Sequence, residues 1–266
     1  MTSPLKRPIV IKIGGSTLGT EKTILEDLVT LQKSGTPLIV VHGGGQVISE
    51  WQKKLGIATQ FVSGLRVTDI ATLEVVVSVL AGLVNKQLVG VIKALGGKVI
   101  GLSGVDDGLI EAKIENKELG YTGEVANINV EPLMMFLKQG YIPLIAPVSL
   151  RTDYRKIEGN DVILNVNGDT AAAAIGAAIN AERVIFLTDV IGLCDKSGKL
   201  IPSITSGEVP SLITSGAISG GMIPKIKACL RAVSNNTTIA RIIDGRNPHS
   251  LLSEIKMGNS GTTVSP

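Results

Sequence analysis

Short β-branched apolar runs alternate with longer stretches of helical periodicity along almost the whole chain. Residues 9–13 read as a buried strand, 25–31 as part of a helix, 37–42 as a second strand and 47–55 as a second helix. That order implies parallel strands joined by crossover helices. A β-rich interlude at 58–68, ATQFVSGLRVT, carries a hairpin turn at Ser63-Gly64. Asp69 caps a long helical region through Leu95 that bends near Gly82. Further strands are expected at 99–102, 142–147, 183–189 and 238–244, with antiparallel ribbons over 106–125. Helices are expected at 131–138, 207–215, 224–233 and 251–255, and an alanine-rich helix follows Asn165–Asp169. A polar excursion spans 151–160, and no internal repeat interrupts the series. The pattern predicts an α/β three-layer sandwich around one mostly parallel central sheet. Two lobes are expected, 1–180 and 181–266.

Composition narrows the function classes. With 44% apolar and 18% charged residues in 266, the chain is an ordinary globular one with ample material for a core. A formal charge of +3 without a dense Lys/Arg tract gives no electrostatic case for nucleic acid or a membrane surface. Aromatics at 3% leave few stacking platforms for single strands. Cys194 and Cys229 show neither metal-ligand spacing nor a C-x-x-C motif, which fits free thiols in a reducing cytoplasm; Cys194 reads as a small packed residue. The apolar N-terminal stretch is too short for a signal-peptide core and is interrupted by Lys12. The longest apolar segments, 75–84 and 171–179, fall short of the ~20 residues of a membrane helix. A soluble cytoplasmic protein is therefore expected.

In open parallel sheets ligands gather at the carboxyl ends of the strands, and here those ends share a chemistry. The first strand ends in IKIGGS, the second in VVHGGG, and a later one in LTDV followed by Gly192 and Leu193. Lys12 lies among β-branched residues, so it either snorkels from an edge strand or faces an anion. Gly14 and Gly15 beside it can present consecutive N–H donors to phosphate oxygens. Three glycines at 43–45 exceed what a tight turn needs and precede a helix N-terminus, where negative charge is favoured. Arg66 presents a fork suited to a carboxylate, although most hairpin arginines are simply solvated. Asn165 and Asn167, at alternate positions, can aim their amides the same way. Asp169 is either an N-cap or the group that orients two lysines, Lys12 and Lys225. Lys225 follows a glycine pair near a helix start, where a solvated lysine is the default. Together these residues outline a phosphate site.

The usual phosphate signatures are missing: there is no P-loop, no dinucleotide fingerprint after a strand, no protein-kinase motif and no catalytic triad. A phosphoryl acceptor that is itself a carboxylate, ionised above a pKa of about 4.3, requires no general base. IVIKIGGS, VVHGGGQ, GLRVT, LNVNGDTAA, LTDV and GGMIPK, in this order and spacing, resemble the amino acid kinase family over nearly the full chain. The resemblance implies transfer of the γ-phosphoryl group of ATP, with Mg²⁺ carried on the nucleotide, to the side-chain carboxylate of N-acetyl-L-glutamate. Lys12 and Lys225 would stabilise the moving phosphoryl and Asp169 would hold both. Gly44 and Gly45 would cradle the acceptor, Arg66 its α-carboxylate, and Asn165 and Asn167 would contact it. Gly14 and Gly15 would meet the ATP phosphates, while Asp189, Gly192, Leu193 and Ser219 would form the nucleotide pocket. No carboxylate cage for a resident metal is expected.

Family members inhibited by arginine carry an additional N-terminal helix, and only about eight residues precede the first strand here. A homodimer without strong arginine feedback is expected. The competing readings are a relative acting on carrier-protein-linked aminoadipate or glutamate, against which Arg66 argues, and a non-enzymatic nucleotide sensor. Retention of Lys12, Asp169 and Lys225 together argues against the sensor. Asp106 and Asp107 read as a solvated turn.

Overall fold

The alternation of side chains along a strand decides which face of the sheet each one reaches, and in β1 (Ile9–Ile13) every position is buried. The computed structural model describes residues 6–14, 22–157, 161–216, 218, 222–233, 239–258 and 260–266. The N-terminal half runs α1 (Lys22–Lys33), β2 (Leu38–His42), α2 (Gly45–Lys54) and the hairpin β3 (Phe61–Val62) with β4 (Leu65–Arg66). Next come α3 (Ile70–Val77), a π-helical segment (Ser78–Val84), α4 (Asn85–Ala94), β5 (Val99–Gly104), β6 (Ile110–Ile114) and β7 (Thr122–Ile128). α5 (Glu131–Lys138), β8 (Ile142–Arg151), β9 (Ile163–Val166) and α6 (Gly168–Ala178) follow. The remainder is β10 (Arg183–Thr188), β11 (Ser203–Thr205), α7 (Val209–Thr214), α8 (Met222–Val233), β12 (Ile239–Asp244), α9 (Ser250–Met257) and β13 (Thr262–Ser265).

Among the described residues one sheet of eleven strands runs β11-β13-β12-β10-β1-β2-β8-β6-β7-β9, with β5 also paired to β8. It is parallel through its middle, β12-β10-β1-β2-β8, and antiparallel at β12–β13, β6–β7 and β8–β9. Helices cover both faces, as the apolar periodicity predicts. Val10, Ile39, Val41, Val184 and Phe186 pack with α5, α6 and α8 in one core. Ile9, Ile11, Leu38, Val40, Ile185 and Leu187 pack with α1, α3, α4 and α9 in the other. Lys12 therefore stands on the α6/α8 face with Val10, and His42 on the α3/α4 face with Val40.

Most predicted elements appear within a few residues of their expected bounds. Ser63 and Gly64 both have positive φ, 51° and 83°, as a two-residue hairpin turn requires. β8 continues to Arg151, four residues past the expected end at 147, by pairing with β6 and β9. The short strands β11 and β13 were not expected: SIT and TTVS lack an apolar run. The helix expected after Asp69 is a continuous run, Ile70–Ala94, of 25 residues, long and apolar enough to cross a membrane by length and composition. This corrects the expectation that no segment reaches that length, since the helix runs on through the polar residues Thr72, Glu74, Ser78 and 85–87 that interrupt its apolar sequence. One side of this helix, with Val76, Val79, Leu80, Val84, Leu88 and Ile92, is buried in the second core.

At the far edge, a buried ion pair fixes the end of the chain. Arg241 in β12 lies 2.7 Å from Glu254 in α9, with side-chain exposures of 6% and 0%. Glu254 also accepts from Ser260 Oγ at 2.8 Å, and Arg241 donates to Thr263 Oγ1 in β13. Removing one partner strands the other charge in the core, so Glu254→Gln is expected to destabilise the fold by about 3 kcal/mol. Urea denaturation measures this, and a loss below about 1 kcal/mol would show that solvent reaches Arg241.

Candidate active site

Lys12 and Asp169 meet because β1 and α6 present them to the same face of the sheet. Asp169 Oδ1 lies 2.6 Å from Lys12 Nζ, and its Oδ2 accepts from Lys225 Nζ at 3.3 Å. Side-chain exposure is 10% for Lys12, 9% for Asp169 and 22% for Lys225. Burial alone raises the Asp169 pKa, but the two ammonium groups outweigh it and hold the carboxyl below its ordinary value of 3.8. Two ammonium groups on one carboxylate leave one positive charge in surplus, which favours an anion.

Asp169 is not the helix cap. Asn167 caps α6, its Oδ1 accepting from Asp169 N at 2.8 Å and Thr170 N at 3.2 Å. The capping oxygen turns the Asn167 amide into a support for the first turn, from which Asp169 reaches back to Lys12.

A cavity of about 220 Å³ opens beside Lys12 and is lined by Gly44, Gly45, Arg66, Asn165 and Asn167, among others. It shares Gly64, Leu65 and Asn167 with a wider cleft of about 900 Å³ bordered by α8. Gly44 is needed for a reason the sequence does not display: a Cβ there would sit 2.6 Å from Leu80 Cδ2 of the π-helical segment. Gly45 differs, since its Cβ would meet nothing closer than Arg66 Nη2 at 4.0 Å. α2 starts at Gly45 without a side-chain cap, leaving N–H groups of its first turn open toward an anion.

Arg66 is 7% exposed, and burial lowers its pKa. Its Nη2 donates to Gly45 O at 2.8 Å and Ser49 Oγ at 2.9 Å, its Nη1 donates to Gln52 Oε1, and its guanidinium lies 4.7 Å from the Phe61 ring centre. Its own carbonyl accepts from Thr68 Oγ1 and Thr122 Oγ1, at 3.1 and 2.7 Å. Asn165 Nδ2 donates to Thr68 Oγ1 at 3.1 Å, which ties β9 to the same network. Arg66 forms no ion pair among the described residues.

Gly14, Asp189, Gly192 and Leu193 do not line this cavity. Gly14 is buried at the end of β1. In the β1–β10 register Ile13 pairs with Leu187, so Asp189, which is exposed, stands just past the level of Gly14. Gly192 accommodates Leu200 and Thr262, whose atoms would lie 2.6 and 2.8 Å from a Cβ, and Leu193 is a core residue whose N–H donates to Thr262 Oγ1 at 2.8 Å. The Leu193 carbonyl accepts from Ile201 N at 2.8 Å, so both backbone groups of Leu193 serve this turn, and no side chain at 192–193 is exposed to a ligand. Gly15 and Ser219 lie outside the described residues. Cys194 is partly buried and Cys229 fully buried, both as free thiols.

Gln52 and His42 were missed by sequence reasoning. Gln52 is a helix glutamine with no exposure, and nothing in GQVISEWQKK separates it from solvated neighbours. His42, also fully buried, has Nε2 3.1 Å from Asn85 Nδ2 and Nδ1 2.9 Å from Gly43 O. The amide nitrogen can only donate and the carbonyl only accept, so His42 is neutral with its proton on Nδ1. It anchors the glycine turn, with Gly43 N donating to Ile13 O at 2.9 Å.

The profile of the amino acid kinase family matches residues 7–244. An acetylglutamate kinase of Dehalococcoides mccartyi is 44% identical over 264 residues, covering 99% of this chain and 96% of that one. Another, from Caldanaerobacter subterraneus subsp. tengcongensis, is 44% identical over 257 residues, covering 94% and 84%. The crystal structure of smu.665 from Streptococcus mutans UA159 superposes with a TM-score of 0.80 at 28% identity, covering 97% and 98%.

Burial lowers the His42 pKa from 6.5 to about 4. Above pH 6.5 both folded and unfolded chains are neutral here. Below it the unfolded chain takes up a proton that the folded one refuses, so stability falls until about pH 4, by about 3 kcal/mol. Denaturation midpoints of the native chain and His42→Gln should diverge in slope across this window, and parallel curves would contradict a buried neutral imidazole.

Proposed function

The chain belongs to the amino acid kinase family, and on that premise we propose that it moves the γ-phosphoryl group of ATP to the side-chain carboxylate of N-acetyl-L-glutamate, forming N-acetyl-L-glutamyl 5-phosphate for arginine biosynthesis. The observation that carries the site assignment is the convergence of Lys12 and Lys225 on the two oxygens of Asp169. Phosphoryl transfer calls for positioning and charge stabilisation rather than covalent chemistry from the protein. The acceptor carboxylate is already a nucleophile at neutral pH, so the lack of a general base costs nothing.

In this reading the acceptor lies in the 220 Å³ cavity, with one anionic end against the N–H groups at Gly44 and Gly45 and near Lys12. Arg66 takes its α-carboxylate, with Asn165 and Asn167 alongside. Lys12 and Lys225 neutralise charge on the phosphoryl group in flight, and Asp169 keeps them from drifting apart. Gly14 and Gly15 meet the ATP phosphates, and the backbone from Asp189 to Leu193, with Ser219, borders the nucleotide. Both Asp169 oxygens are taken by lysines, and no cluster of three His, Cys, Asp or Glu stands ready for a metal among the described residues. Mg²⁺ therefore fits as a passenger on the nucleotide. Residues 1–180 form the acceptor lobe and 181–266 the nucleotide lobe.

An exposed apolar face supports a homodimer: Trp51, Leu55 and Ile70 are 38%, 57% and 47% exposed beside a hollow of about 610 Å³ on α2 and α3. The free thiols suit a cytoplasmic enzyme.

Trapping the acyl phosphate as a hydroxamate tests the substrate, with N-acetyl-L-glutamate expected to give product and glutamate and aspartate little. Lys12→Ala and Lys225→Ala should each lower kcat by roughly 100- to 1,000-fold, and intact turnover in either would remove the basis of the site. Gly45→Ala should leave the helix intact, because alanine is the better helix former, while its methyl, 4.0 Å from Arg66 Nη2, takes up space in the cavity. KM for the acceptor should rise with that for ATP unchanged; an equal rise in both would contradict the placement.

A further inference from the structure

A buried cation normally recruits a carboxylate, and Arg66 has instead recruited neutral oxygens. Its guanidinium is fixed by Gly45 O, Ser49 Oγ and Gln52 Oε1, and packed on the Phe61 ring. Of these, Gln52 is the most constrained. Its side chain has no exposure, and all of its polar capacity is engaged. Nε2 donates to Thr72 Oγ1 at 3.1 Å and to Ala58 O at 3.4 Å, while Oε1 accepts from Thr59 Oγ1 at 3.0 Å and from Arg66. Those partners come from the loop after α2 and from the first turn of α3, so the amide cannot rotate without leaving buried donors unpaired.

We propose that Gln52 is the positioning residue for Arg66: it aims the guanidinium into the cavity while leaving the full positive charge available to the α-carboxylate of the acceptor. An amide oxygen orients a guanidinium through a hydrogen bond, but carries no charge to neutralise it. A carboxylate at the same place would orient Arg66 equally well and compete with the ligand for it. The arrangement is preorganised, because the arginine is already immobilised before an anion arrives, so binding loses little side-chain entropy. The inference rests on the reading of Arg66 as the carboxylate receptor.

The test uses two acceptors, N-acetyl-L-glutamate and 4-acetamidobutanoate, which keeps the reacting carboxylate and the acetamido group but lacks the α-carboxylate. Gln52→Glu is nearly isosteric and is expected to raise KM for N-acetyl-L-glutamate at least tenfold, with kcat and KM for ATP within twofold. KM for 4-acetamidobutanoate should stay within twofold of the unaltered enzyme. Gln52→Met, which removes the acceptor without adding charge, should raise KM for N-acetyl-L-glutamate three- to tenfold with the same selectivity. Should one variant fail to fold, the other carries the same comparison. A rise shared equally by both acceptors, or a fall in kcat instead of a rise in KM, would reduce Gln52 to a packing residue and overturn the proposal. Arg66→Met separates the two levels. If it leaves KM for N-acetyl-L-glutamate unchanged, the receptor reading itself fails; if it raises KM while both Gln52 variants do not, only the role of Gln52 fails.

Discussion

One carboxylate, Asp169, holds together two ammonium groups, Lys12 and Lys225, from opposite ends of the chain. Burying it is unfavourable, and burying Lys12 beside it is unfavourable too; the arrangement stands because each charge has a partner of opposite sign. Without Asp169 the two ammonium groups would repel one another across a poorly solvated cleft. With it they stay close, and their sum remains positive. β1, α6 and α8 can deliver these side chains to one point because all three belong to the same side of the sheet.

A second uncompensated cation, Arg66, lies at the same cavity as Lys12, with the open amides of α2 between. On the proposed reading this favours an acceptor with two negative charges held apart by a short neutral chain, and a free amino acid suits it poorly. Its α-ammonium would enter a space already surrounded by positive groups, whereas an acylated nitrogen removes that charge. Discrimination would then arise from electrostatics as much as from shape.

Much of this was legible in the sequence, and the limits have physical causes. Lys12 among β-branched residues left two readings open, an edge-strand lysine or a cation facing an anion, and the burial of β1 on both faces decides for the second. Asp169 was harder: Asp and Asn are equally good caps, and only the fold shows that Asn167 takes the cap and frees Asp169 for the lysines. Arg66 was recognisable by type, but its support by Gln52 was not, since a glutamine on an amphipathic helix gives no sign of burial. The glycine run had a partly hidden cause as well. On the proposed reading ligand approach accounts for Gly45, where a Cβ would meet no protein atom closer than 4.0 Å, whereas Gly44 answers to Leu80, thirty-six positions on, packed over the turn. Edge strands such as β11 escaped because a three-residue polar strand is specified by its neighbours, not by itself.

The placement of His42 explains how the glycine turn keeps its shape under load. Lys12 and His42 stand near the carboxyl ends of the neighbouring strands β1 and β2 but on opposite faces, so the lysine pair and the support of the glycine turn are divided between the layers. On the α3/α4 side, Leu80 of the π-helical segment covers Gly44 and Asn85 of α4 binds the His42 ring, which in turn holds the Gly43 carbonyl. A π-type turn accommodates one more residue per hydrogen-bonded loop than an α-turn. It therefore changes the angular relation between Leu80 and Asn85 and the flanking helix. Both contacts converge on the three glycines, where the backbone has no side chains of its own to stabilise it. The glycines are thus permissive in covalent geometry and restrained by their surroundings, which is what a set of amides aimed at an anion requires.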